Sequence, residues 1–154
     1  SDYGLPQHRA RVFMIGVDRG LGINEKFSFP KPIPLKYTLS EIFGGKCEKD
    51  IGYTLRVGGR GSKFGDRRNW EFYKVDGKIV RLGIAEGKKM MGLPEDFVFP
   101  VSDVQAMKQL GNGVAIDAVR EVGQALVSFL ANHRQDQRAG SYPKEKKAVS
   151  SAHR

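Results

Sequence analysis

Three patches of this sequence carry more polar chemistry than a packed core requires. Gln7, Arg9 and Arg11 fall at i, i+2 and i+4 in QHRARVFMIG, so in extended chain all three project from one face. Cations leading into an apolar run are costly to bury unless their face opens on a cleft or an anion. An exposed strand end with solvated arginines is the other reading of that pattern. Residues 53–73, YTLRVGGRGSKFGDRRNWEFY, set Arg56, Arg60, Lys63, Arg67 and Arg68 against Asp66 and Glu71, with glycines at 58, 59, 61 and 65. Glycine lets a backbone come close to another surface, and the cations require that surface to be negative. Trp70, the only tryptophan, and Tyr73 offer rings that pack beneath the segment or stack on a base. A solvated basic hairpin has the same composition. The preferred reading is a loop, dispensable to the core, that enters a nucleic-acid groove with its ends held by Leu55, Val57 and residues 70–73. The third patch, Gly111-Asn112-Gly113, joins two helical patterns. It reads either as a plain helix break or as a close-approach turn whose following helix N-terminus offers free amides to an anion or carboxylate.

Reaction chemistry is harder to find. Cys47 lies in the polar run GGKCEK with no rigid mount or paired base, so it reads as a free surface thiol rather than a nucleophile. His8, His133 and His153 are scattered, and no ligand spacing suggests a metal. The chain supplies contacts, and no catalytic residue is assigned to it.

The bulk properties agree. A chain of 154 residues with net charge +9 suits one domain or one lobe of a larger assembly, with a polyanionic partner. No apolar run is long enough to span a membrane, and a single cysteine suits a reducing cytoplasm. The first residue is Ser1, and upstream sequence is expected to have been removed or to sit on another chain.

The elements that must position these patches follow from periodicity. Residues 7–16 predict a strand, with Val12, Phe13, Met14 and Ile15 buried on both faces. Residues 17–36 form an irregular connector stiffened by Pro30, Pro32 and Pro34. Thr38 and Glu41 predict a capping box and a short helix stopped at Gly44-Gly45. Asp76-Gly77 between FYKV and KIVRL predicts a hairpin, within a small, mostly antiparallel unit over residues 50–82. A short helix is expected over 85–92, and a capping box at Ser102 and Gln105 starts another. A last helix is expected from Val114 to about Asn132, with the stripe Ala115, Val119, Val122, Leu126 and Phe129 buried against a neighbour. A helix-turn-helix is disfavoured, because the early exposed positions of that helix include Asp117 and Glu121.

In this order the pieces resemble a family. YGLPQHRARVFMIG is similar to the Gln-x-Arg-x-Arg strand of the 5-methylcytosine DNA methyltransferases. MMGLPEDF resembles their Leu-Gln-Gly-Phe-Pro element, and QAMKQLGNGVAIDAV their closing Gly-Asn-Ser-Val helix. The resemblance covers residues 1–132 and implies an α/β fold: the C-terminal part of a Rossmann-like catalytic domain plus a small, mostly-β target-recognition domain. Residues 1–36 would be catalytic-domain strand and connector, 37–84 the recognition domain, 85–132 the return to the catalytic domain, and 133–154 a disordered basic tail.

The resemblance also implies roles. Arg9 and Arg11 would line the pocket for a flipped base and its phosphate, with Gln7 in support. Arg56, Arg60, Lys63, Arg67, Arg68 and Trp70 would recognise double-stranded DNA from the major groove. Asn112, Gly113 and Val114 would sit beside S-adenosyl-L-methionine, with Gly113 using its backbone where the family often has Ser. The family's glycine-rich cofactor loop, Pro-Cys nucleophile and Glu-Asn-Val acid have no counterpart here. Gly83 and Ala85 depart from its Thr and Arg. The chain is therefore expected to be the recognition and closing part of a DNA cytosine-5-methyltransferase of a restriction-modification system. It would share the cofactor with an N-terminal catalytic part or subunit and be inactive alone. The alternative is a non-catalytic DNA-binding module derived from such an enzyme; an RNA- or ribosome-associated basic protein is a third reading.

Overall fold

A computed structural model describes residues 2–58 and 61–139, and the side chains through His133. Arg60 and residues 140–154 of the expected tail lie outside the described residues. After a 3-10 turn at Arg19–Leu21 come α1 (Leu39–Phe43), β1 (Phe72–Val75), β2 (Lys78–Arg81), α2 (Ile84–Met91), α3 (Asp103–Asn112) and α4 (Ile116–Ala139).

Local chemistry explains several boundaries. At α1, the Glu41 carboxylate accepts the Thr38 N–H at 2.6 Å and the Glu41 N–H points back at Thr38 Oγ1, closing the expected capping box. Gly44 ends the helix at φ 65°, where a side chain would be strained. β1 and β2 pair antiparallel from Phe72↔Arg81 to Val75↔Lys78. Their turn residues Asp76 and Gly77 have φ 48° and 77°, the two positive values that a tight primed turn demands. At α2, Glu86 accepts the Gly83 N–H at 2.9 Å, so glycine is accommodated at that boundary by the helix's own third residue.

Other expectations are corrected. Residues 7–16 form no strand: Gln7 makes one isolated bridge to Gly52, and Val12 and Met14 are 86% and 90% exposed. No described strand lies beside them to cover either face. The described residues among 50–71 are turns, bends and loops, so the described antiparallel unit shrinks to β1 and β2. Ser102 begins α3 without a side-chain cap. That helix runs through Gly111 and Asn112 and stops one residue later, and α4 starts at Ile116 and extends past Asn132 to Ala139, into the expected tail. Of the α4 stripe, Val122 is buried but Val119 is exposed. Phe129 packs edge-on against Phe27 of the connector at 5.7 Å. Asp117 is not exposed: it is buried and receives Lys36 and Arg120 at 2.7 and 2.5 Å.

One hydrophobic cluster unites α1, β1, α2 and α3 through Leu39, Leu55, Trp70, Tyr73, Met90 and Leu110. It therefore draws on residues either side of position 84. At Gly52 a Cβ would press into it, meeting Met90 Cε at 2.6 Å and the Tyr73 hydroxyl at 2.9 Å. Gly58 has open space instead. Gly52→Ala is accordingly expected to cost about 1–3 kcal/mol by overpacking, and Gly58→Ala less than about 0.5 kcal/mol. Equal urea midpoints for the two variants would contradict this account of the core.

Candidate nucleic-acid interface

The N-terminal segment is fixed by its polar side chains rather than by a ladder. Gln7 is buried; its amide nitrogen donates to the Met90 carbonyl at 3.0 Å, and its oxygen accepts the Leu55 N–H at 3.3 Å. Gly52 and the peptide flanking Gln7 exchange two further bonds: Gly52 N–H to Pro6 O at 2.9 Å and His8 N–H to Gly52 O at 2.8 Å. Gln7 is thus a joint between α2 and the entry to the basic segment.

Arg9 extends that joint to α3. Its guanidinium donates to Gln7 Oε1 and the Leu55 carbonyl, each at 3.1 Å, to the Gly111 carbonyl at 2.8 Å, and to the Gly113 carbonyl. The last two acceptors stand at the C-terminal end of α3, where carbonyls lack helical partners and the helix dipole favours a cation. Burial, and then the charge of Arg11, lower the Arg9 pKa to about 10, so it stays protonated at neutral pH. Arg11 behaves differently. It is exposed, donates to the carbonyl of Ala10 at 2.7 Å, and opens with Arg9 on a cavity of about 560 Å³ that Tyr3, Phe13, Phe29 and Val114 also line.

Gly111 shows why glycine closes α3. A Cβ there would lie 2.5 Å from the Arg56 carbonyl carbon and 2.7 Å from the Val57 nitrogen. The helix end is pressed against the backbone that leads into the basic segment. At Gly113, φ is −62°, so the helix stop needs no left-handed residue. Its N–H donates to Gln109 O at 2.8 Å and its carbonyl serves Arg9. Both backbone groups of Gly113 are thus engaged within the chain, and its neighbours Asn112 and Val114 are exposed.

Four described cations of the segment face outward. Arg56, Lys63, Arg67 and Arg68 are all exposed, and Arg68 is only loosely paired with Asp66 at 3.7 Å. The ends of the segment, by contrast, belong to the core, because Leu55, Trp70 and Tyr73 are buried. Trp70, at 2% exposure, cannot stack on a base and is removed from the contacting set. Its large apolar ring holds the segment down from beneath. Tyr73 has a phenol raised to about 12, chiefly by burial. Cys47 is half-buried rather than on the surface, with its thiol pKa pushed up mainly by burial, the opposite of activation. Among the described residues no cluster of metal-ligating side chains occurs and no helix is long and apolar enough to cross a membrane.

Comparison with known proteins names this arrangement. A family model for C-5 cytosine-specific DNA methylase matches residues 1–57 and 54–128. The chain belongs to the C-5 cytosine-specific DNA methylase family. Among its relatives, Type II methyltransferase M1.ScrFI of Lactococcus lactis subsp. cremoris is 28% identical across 87% of this chain and 43% of its own length. M.HpaII of Haemophilus parainfluenzae is 29% identical across 86% of this chain and 49% of its own. M.BsuFI of Bacillus subtilis is 32% identical across 82% of this chain and 37% of its own. The chain thus spans less than half the length of these curated relatives.

Within this methylase chain, the sequence motifs meet at Arg9: the Gln-x-Arg-x-Arg segment supplies the cation, and the Gly-Asn-Gly turn supplies two of its acceptors. Two contributors went unrecognised in the sequence, the Leu55 peptide and Glu71. Leu55 bonds through its backbone, which leaves no mark in a residue pattern, and in the sequence Glu71 counts only as an acid set against the cations of its segment. Arg9→Lys cannot reach four acceptors with one ammonium and is expected to lose about 1–3 kcal/mol of stability. Arg11→Ala is expected to lose less than about 0.5 kcal/mol. Thermal unfolding of both variants checks this; equal shifts would mean that Arg9 is not the joint.

Proposed function

We propose that this chain is the DNA-recognising and pocket-completing part of a DNA cytosine-5-methyltransferase. The observation that carries the reading is the Arg9 joint: it spends one cation of the Gln-x-Arg-x-Arg motif on structure and leaves Arg11 exposed at the neighbouring cavity. There Arg11 would hold the phosphate or base edge of a flipped cytosine, with Gln7 and Arg9 keeping its backbone in place. Arg56, Lys63, Arg67 and Arg68, together with Arg60, would meet the duplex, some on phosphates and some on base edges.

S-Adenosyl-L-methionine supplies the methyl group in such a reaction. The exposed amide of Asn112 and apolar surface of Val114 suit one edge of such a cofactor, with Gly113 acting as their spacer. Cys47 is not disposed to attack a base, since burial pushes its thiol pKa up and favours the protonated thiol over the thiolate, so the nucleophile would belong to polypeptide outside these residues. The exposed Val12, Met14 and Val127 support this, because apolar surface of that kind suits a sheet supplied by a catalytic part. They count against the alternative of a self-sufficient DNA-binding module.

Methyl transfer to duplex DNA should be undetectable with this chain alone and appear on addition of a catalytic N-terminal part; turnover by the chain unaided would refute the division of labour. Arg11→Ala in the assembled enzyme should abolish methylation with only modest loss of DNA binding. For about six neutralised phosphates, log K should fall against log salt with a slope of roughly −5. A slope near zero would remove duplex DNA as the partner.

A further inference from the structure

The basic segment ends on an acid that faces the wrong way for a surface counter-ion. Glu71 is fully buried, while Arg67 and Arg68 beside it are exposed. Its Oε1 accepts the Gly61 N–H at 2.9 Å and its Oε2 accepts the Arg81 Nε–H at 2.9 Å. Its own N–H donates to Asn69 Oδ1 at 3.2 Å, and its carbonyl accepts the Leu82 N–H at 2.7 Å. One residue therefore ties together the middle of the segment, its end and the β1–β2 hairpin. Burying a carboxylate is expensive unless its charge and lone pairs are met, and a segment needed only to cover the core would do better with an apolar side chain here. Gly61 accepts the tie because of its backbone: φ is +117° with open space around a would-be Cβ, so the residue is required for direction and not for room.

We propose that Glu71 is the positioning residue of the recognition segment, and that it sets discrimination between DNA sequences more than overall affinity for DNA. This rests on reading residues 53–73 as the DNA-recognition element. Phosphates can be met by cations on a mobile loop, because the backbone charge is the same for every sequence. Hydrogen bonds to base edges require side chains whose direction is settled before contact. Two fixed points enforce that direction: the Arg56 backbone seated on Gly111 and Gly61 held by Glu71. Releasing the second leaves the cations present but no longer aimed.

The test uses the full chain with Glu71→Ala and Glu71→Gln. Amide hydrogen exchange should show the Gly61 N–H at least about tenfold less protected in Glu71→Ala, with the paired amides of Tyr73 and Val80 unchanged. In parallel, the wild-type chain selects from a random-sequence duplex pool, and the enriched duplex is compared with a scrambled one at fixed salt. Glu71→Ala should lower the ratio of the two affinities by at least about tenfold while moving the scrambled duplex less than about twofold. An unchanged ratio, or an equal loss on both duplexes, overturns the positioning role. Should Glu71→Ala lose hairpin protection as well, Glu71→Gln decides, since it keeps an oxygen for Gly61 but no charge for Arg81. A Gly61 amide and an affinity ratio that move together in Glu71→Gln, both lowered or both retained, support the proposal, and a change in one without the other refutes it. A wild-type chain that binds duplexes but enriches no sequence overturns the recognition reading itself, and the Gly61 exchange then still reports whether Glu71 anchors the loop.

Discussion

A single guanidinium holds the site together. Arg9 gathers Gln7, Leu55, Gly111 and Gly113, groups that belong to the N-terminal segment, the entry to the basic loop and the end of α3. Each acceptor is an oxygen left over by its own element, and an arginine fork is the side chain whose several fixed donors can satisfy them together. The cost is visible in the proton affinity of the group, lowered to about 10 first by burial and then by Arg11. That is a large perturbation for arginine, yet it leaves the charge intact at neutral pH. Where the carbonyls of a helix end converge, a desolvated cation is compensated by the helix that it closes.

The basic segment divides its residues by direction. Arg56, Lys63, Arg67 and Arg68 face solvent, and the groups that hold them in place face inward. Trp70 fills the core beneath, Asn69 caps the amides of Glu71 and Phe72 at 3.2 and 3.0 Å, and Glu71 reaches back to Gly61. On the other side, a cleft of about 420 Å³ lies between Tyr53, Phe64, Arg67 and Phe72. The segment is therefore a loop with a polar framework of its own, mounted on the same core as the helices that follow it.

Surface left uncovered is as informative as surface packed. The apolar residues 12–15 and the face of α4 bearing Val119 and Val127 have no sheet against them among the described residues. The methylase relatives are more than twice as long as the stretch matched here.

Local signals were legible because their causes are local. Thr38 with Glu41, Asp76-Gly77, and the glycines at 44 and 92 mark helix ends and a hairpin turn through bonds spanning a few residues, so the residue order alone determined them. The ordered motifs around Arg9, Met90 and Gly111 likewise identified the family. Direction was not legible. A run such as VFMI reads as a buried strand whether or not a sheet is present, because periodicity records what a segment can bury and not what lies beside it. Trp70 read as a ring for bases, Asp117 as an exposed acid, and Cys47 as a surface thiol; all three turn inward to partners distant in sequence, as does Glu71. Only the tertiary structure decided which charges face out and which hold the backbone from within, since that depends on long-range contacts that no short window contains.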